Sequence, residues 1–97
     1  MKTIGKINIL GAHFMVKKGY ENSISDLYGQ IKYTDKVILL NDHSCVSREQ
    51  TEDTLLHEVI HGIDERLKLG LKEEMVHRLA TGLYASGVRV KLERVRR

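Results

Sequence analysis

His57-Glu58-Val59-Ile60-His61 sets two imidazoles four residues apart with a carboxylate beside the first, the pattern H-E-x-x-H. In a helix, positions four apart differ by about 40° in azimuth, so the two rings project side by side and can share one metal ion. Glu58 lies about 60 to 100° further round, which suits a base acting on a metal-bound water better than it suits a ligand. Two ligands do not complete such a site. A catalytic zinc takes a third protein ligand and keeps one position open for water.

The motif needs a helix to hold it. Ser47-Arg48-Glu49-Gln50 has the S-x-x-Q form of a capping box, and Lys68-Leu69-Gly70 marks an end, with the glycine read as the C-terminal cap. Between these signals Leu55, Leu56, Val59, Ile60, Ile63 and Leu67 share one broad arc of the helical wheel. Gln50, Asp53, Thr54, His57, His61 and Asp64 share the other. The apolar arc is expected to anchor the helix to a core while the imidazoles line a polar surface or cleft.

A second helix is expected from about Lys72 to Ser86, with Met75, Val76, Leu79 and Leu83 as its apolar face. Glu73 and Glu74 stand in its first turn, where the helix dipole alone favours carboxylates. Glu73 shares a stripe with His77, Ala80 and Tyr84 and is the first candidate for the third metal ligand. Glu74, about 100° round, is the second candidate. His77, one turn on, could orient a ligand, and Asp64 and Tyr84 complete the supporting candidates for ligand orientation or transition-state contact. Tyr33 is a further hydrogen-bond donor, on a strand.

Upstream, Thr3 to Leu10 and Ala12 to Lys18 read as a hairpin around Gly11. Gly19 to Asp26 reads as a connection with room for a helical turn. Tyr28 to Tyr33 and Lys36 to Asn41 read as a second strand pair around Thr34-Asp35. The run Val37-Ile38-Leu39-Leu40 is expected to be a buried strand in preference to an open edge. His13 and His43 have no metal-spaced neighbour and are read as ordinary surface or loop histidines. The fold class is therefore α+β: one domain over residues 1–97, with a small, mainly antiparallel sheet of three or four strands packed on the H-E-x-x-H helix and a second, glutamate-bearing helix. Gly87 to Arg97 either alternates as a strand or extends the second helix.

A chain of 97 residues with 41% hydrophobic residues, one Phe and no Trp builds a small core, to which a bound ion could add stability. Sixteen basic against thirteen acidic residues is a mild excess, and it gathers at Arg89, Lys91, Arg94, Arg96 and Arg97. A solvated tail is the preferred reading over a nucleic-acid contact, since no recognition motif accompanies it. The single cysteine, Cys45, excludes an internal disulfide, and no apolar run reaches the length of a membrane span. The chain is read as cytoplasmic with no membrane partner.

The run Thr54 to Asp64, TLLHEVIHGID, followed by Glu73 to Tyr84, EEMVHRLATGLY, resembles the ImmA/IrrE-type zinc metallopeptidases, and most nearly their short phage and prophage members. The resemblance covers the stretch from Thr54 to Tyr84 and, upstream, only the order of elements. It implies a minimal gluzincin-like, zincin fold in which His57, His61 and Glu73 hold Zn2+ and Glu58 is the general base. The family pattern E-x-x-A-N reads here Glu73-Glu74-Met75-Val76-His77, with valine and histidine in place of alanine and asparagine. A peptide deformylase also carries an H-E-x-x-H helix, but Cys45 lacks the neighbours of its cysteine ligand.

The function expected from residues and resemblance together is a zinc-dependent metallopeptidase. It would hydrolyse peptide bonds by a zinc-activated water, acting on a peptide or protein substrate such as a phage or host regulator in a bacterial or phage-infected cell. The alternative is a non-catalytic, zinc-stabilised protein-binding module in phage or prophage regulation.

Overall fold

The structure, a computed structural model, describes residues 1–95. Leu10 and Gly11 take φ of 50° and 91°, a turn that matches the twist of the strands it joins, β1 (Lys2–Ile9) and β2 (Ala12–Gly19). The next segment carries a short 3-10 turn at Asn22–Ile24 and delivers the chain to β3 (Gly29–Lys32), which pairs antiparallel with β4 (Val37–Asn41). Two helices follow, α1 (Arg48–Leu67) and α2 (Glu73–Ala85).

The class is α+β, as read, with a four-stranded sheet ordered β1-β2-β4-β3. Two pairings are antiparallel, but β2 and β4 run parallel, so the sheet is mixed. The reason is the segment after β2. It carries the chain past the β4 position to the sheet edge, so the hairpin β3–β4 folds back inward and β4 arrives beside β2 in the same direction. The run Val37-Ile38-Leu39-Leu40 is thus central and buried, and β3 is the edge.

One sheet face carries Ile9, Ala12, Phe14, Val16, Ile38 and Leu40, and α1 packs on it through Leu55 with Val59 and Ile63 alongside. The approach is close. A Cβ on Gly62 would stand 2.8 Å from Ile9 Cδ1 and 3.2 Å from Ile31 Cδ1, so any larger residue would have to displace these side chains. Both bonds of the capping box form: Gln50 N–H donates to Ser47 Oγ, and Ser47 N–H donates to Gln50 Oε1.

The ends and faces of the helices differ from the sequence reading in three places. The left-handed cap of α1 is Lys68, at φ 54°, and not Gly70. Leu56 and Ile60 leave the sheet side and form a second cluster with Val76 and Ala80, so α1 is buried on two sides, while Leu67 is exposed. On α2 the packing line is Val76, Ala80 and Tyr84. Met75, Leu79 and Leu83, expected to be core, face outward because α2 is the outermost layer and the small Ala80 side chain decides which side comes closest.

Residues 87–95 neither continue α2 nor form a full strand. Gly87 turns the chain at φ 94°, and Lys6 and Glu93 then exchange both backbone hydrogen bonds, 3.0 and 2.9 Å, as a single antiparallel bridge on the free side of β1. Val90 and Leu92 reach the core from this segment. Arg89, expected in a solvated tail, instead donates to the Tyr84 carbonyl at 2.7 Å and lies 3.6 Å over the Tyr84 ring. Arg96 and Arg97 lie outside the described residues.

Asn41, at the end of β4, is fully buried and holds the segment before β3 in place. Its Nδ2 donates to the carbonyls of Ile24 (2.9 Å) and Leu27 (2.8 Å), and its Oδ1 accepts from His43 N–H (2.8 Å). Asn41→Leu would remove one of the two bonds at each of the Ile24 and Leu27 carbonyls, which keep Leu27 N–H and Ser44 Oγ, and would leave His43 N–H without its side-chain acceptor. A loss of about 2 kcal/mol is expected, read as a lower urea midpoint at unchanged slope. A loss below about 1 kcal/mol would mean that the segment is held by other contacts.

Candidate metal centre and cleft

His57 and His61 lie on successive turns of α1, and their Nε2 atoms stand 3.2 Å apart. α2 returns across them after the short connector that follows Lys68, where Asp64 Oδ1 accepts from Leu71 N–H at 3.1 Å and so fixes the turn between the helices. This brings Glu73 to the histidines: its Oε1 is 2.7 Å from His57 Nε2 and its Oε2 is 2.9 Å from His61 Nε2. Glu74 does not join them. Among the described residues His57, His61 and Glu73 form the group of three whose ligand atoms lie together as a metal site requires.

The donor set fits a zinc ion. A tetrahedral ion with ligands at about 2.0–2.1 Å holds its donors about 3.3 Å apart. The imidazole pair already has that spacing. The carboxylate stands a few tenths of an ångström closer, at hydrogen-bond distance. Burial lowers the pKa of His57, with the Glu73 carboxylate opposing that shift, which favours the neutral imidazole that a metal needs.

Glu58 is 6% exposed. Burial, and then the charge of Glu73, push its pKa up to about 7, opposed by a backbone hydrogen bond from Ile31 on the edge strand. The carboxylate therefore holds and releases a proton near neutrality, as a general base or acid must.

Metal-free protein should register this burial as a pH dependence. Above the ordinary value of 4.5 an unfolded chain releases the Glu58 proton while the folded protein keeps it. Stability from this group is complete below about 4.5 and lost as pH rises through about 7, by on the order of 3 kcal/mol. His57 acts in the opposite sense, gaining stability as pH rises towards 6.5. In chelator, wild type is therefore expected to lose stability from pH 5 to pH 8 relative to Glu58→Gln in urea unfolding. Parallel curves for the two proteins would show that the carboxylate is not desolvated.

The three ligand candidates and Glu58 line one end of a cleft of about 880 Å³. Its walls are β3 with the segment before it (Asp26 to Ile31), Tyr33, the first turns of α1 (Gln50, Asp53, Thr54) and His77 of α2. Tyr33 donates to the His61 carbonyl at 3.2 Å. Burial raises the pKa of Tyr33, with nearby carboxylates adding to the shift, so the hydroxyl keeps its proton. His77 is exposed at the lip, its ring 6.1 Å from that of His57.

Two supporting candidates stand elsewhere. Asp64 is engaged with Leu71 at the helix connector, and Tyr84 packs beneath α2 with its hydroxyl 3.4 Å from Glu52. Neither lines the cleft. His43 stacks on Tyr20 at 4.0 Å, and Cys45 is buried against Thr54. The contributions of Asp26 and Tyr28 to the cleft escaped the sequence reading, which placed Asp53 on the polar arc of the helix without naming it a site residue. Asp53 lies four residues before His57 on the same face of α1, whereas nothing local marks the other two.

No family model, curated protein or solved structure matches this chain. No helix among the described residues is long and apolar enough to cross a membrane.

Proposed function

We propose that this protein is a zinc-dependent metallopeptidase of minimal zincin type, with the cleft as its active site. The observation that carries the reading is the convergence of His57 Nε2, His61 Nε2 and Glu73 on one point, with a buried carboxylate, Glu58, in the same cleft. The resemblance to ImmA/IrrE-type peptidases supports it, as does the choice of Glu73 over Glu74 in the folded chain.

When bound, zinc would supply a water of lowered pKa and would polarise the scissile carbonyl. His57, His61 and Glu73 would hold the ion. Glu58, buried in the same cleft, takes the proton of the attacking water at its carboxylate and returns it to the leaving amine. Tyr33 anchors the His61 backbone and so steadies the ligand turn, and His77, its ring 6.1 Å from that of His57, is an exposed donor for the developing oxyanion. Gly29 and Ile31 belong to an edge strand that borders the cleft, where an extended peptide can align by backbone hydrogen bonds.

One feature favours a second reading, a non-catalytic zinc-stabilised binding module: the outward row Met75, Leu79 and Leu83, at 47, 45 and 37% exposure. The deciding experiment is zinc-dependent cleavage of peptide libraries and candidate regulators by wild type beside Glu58→Gln. Cleavage that needs Glu58 supports the peptidase. Intact partners captured equally by both proteins support the module.

A further inference from the structure

Glu73 is the least supported of the three ligand candidates. The histidine side chains are 18 and 24% exposed in the body of α1, whereas that of Glu73 is 69% exposed at the first residue of α2. Packing does not fix its rotamer, so its carboxylate is placed only as well as its backbone is. That backbone is a helix start, and Lys72 before it provides no side-chain cap. The first buried anchor within α2 is Val76, three residues on.

What holds this backbone comes from α1. The connector, residues 68–72, reverses the chain through two left-handed residues, Lys68 at φ 54° and Gly70 at φ 72°, the glycine in open space. Three of its backbone N–H groups donate to one residue. The Asp64 carbonyl accepts from Lys68 N–H and from Leu69 N–H (3.2 Å), and Asp64 Oδ1 reaches on to Leu71 N–H (3.1 Å), two residues before Glu73. Leu71 also packs on the cluster of Leu56, Ile60, Val76 and Ala80. Apolar packing gives cohesion without direction, whereas the hydrogen bond to Leu71 fixes where the connector must be when α2 begins. The other side-chain tie in this turn, Lys68 Nζ to Glu65 Oε1 at 2.9 Å, is an exposed ion pair and holds no backbone.

We infer that Asp64 is a positioning residue for the metal: it lines no part of the cleft, and it sets zinc affinity by delivering Glu73 to the two imidazoles. The inference rests on the zinc reading of the site and is independent of whether the protein cleaves peptides. A metal ion accepts its donors within a few tenths of an ångström, so a released connector weakens binding although all three ligands remain in the chain.

The test measures zinc affinity by competition with a chromophoric chelator, on proteins whose fold is checked by circular dichroism. Asp64→Ala is expected to bind zinc about tenfold more weakly than wild type, the lower end of what loss of a ligand-orienting group costs. Asp64→Asn keeps an oxygen for Leu71 N–H and is expected to stay within about twofold. Glu65→Ala, which removes the exposed ion pair of the same turn, is expected to leave affinity unchanged. The decisive comparison uses the Glu73→Ala background. There Asp64→Ala should change zinc affinity by less than about twofold, because no third ligand is left to place. In chelator, Asp64→Ala should lower the urea midpoint alike in both backgrounds, which separates a bond lost from the fold from a ligand lost from position. Should the alanine variant not fold without zinc, Asp64→Glu, which displaces the carboxylate by one methylene, carries the same comparison.

Equal zinc affinity in Asp64→Ala and wild type overturns the inference. So does a loss that persists undiminished in the Glu73→Ala background, or an asparagine variant no better than alanine. A wild-type protein that binds no zinc removes the metal reading and this inference with it. The expected ranking in a protein that cleaves no peptide leaves the inference standing and removes only the peptidase reading.

Discussion

Glu58→Gln is expected to leave zinc bound at about one ion per chain while lowering the rate of peptide hydrolysis by 10²–10⁴-fold, about the range that general acid–base groups contribute. Glutamine keeps the shape of the side chain and can accept the Ile31 backbone hydrogen bond, but it cannot take a proton from water. The loss should fall on kcat with little change in KM, because the carboxylate acts on the water and not on the peptide. A variant that cleaves within a few-fold of wild type would remove Glu58 from the chemistry. A variant that also loses zinc would assign it a structural part.

His57→Ala is expected to abolish stoichiometric zinc and, with it, the stabilisation that zinc gives the wild-type protein. At free zinc about a thousandfold above its dissociation constant, binding adds about 4 kcal/mol, which for a domain of this size is a rise in Tm of about 20 °C. The alanine variant should show no zinc-dependent rise. Glu73→Ala should bind zinc more weakly, whereas Glu74→Ala should bind as wild type, since only Glu73 reaches the two Nε2 atoms. Elemental analysis with thermal melts, with and without added zinc, reads all four proteins. A Tm that rises equally in His57→Ala and wild type would place the ion elsewhere.

The helical part of the site was legible because its geometry is local. Spacings of three and four residues put His57 and His61 on one side, and the capping box fixed where α1 begins. The same logic failed on α2. A helical wheel ranks faces by apolarity, but helices pack by fit, and the small Ala80 beside Val76 wins the interface from the bulkier Met75, Leu79 and Leu83. The strands were found individually, but the parallel β2–β4 pairing was not. It depends on where the segment between Gly19 and Gly29 leads, which no short pattern encodes. Asp26 and Tyr28 were missed for that reason: they reach the cleft only because Asn41 ties their segment down from a strand 13 to 15 positions later.

The bridge between Lys6 and Glu93 bears on how the domain can be tethered. Lys2 is paired at the start of β1, and Glu93 is paired only four residues along the same strand. Both ends of the described chain therefore emerge from one margin of the sheet. The cleft borders β3, at the opposite margin, with two strands between. Cargo joined at either end, whether a fluorescent reporter, a surface anchor or another folded unit, would hang behind the molecule and leave the mouth of the cleft unobstructed. Because the two ends neighbour each other, a short linker could join them and new ends could be opened elsewhere without disturbing the metal centre.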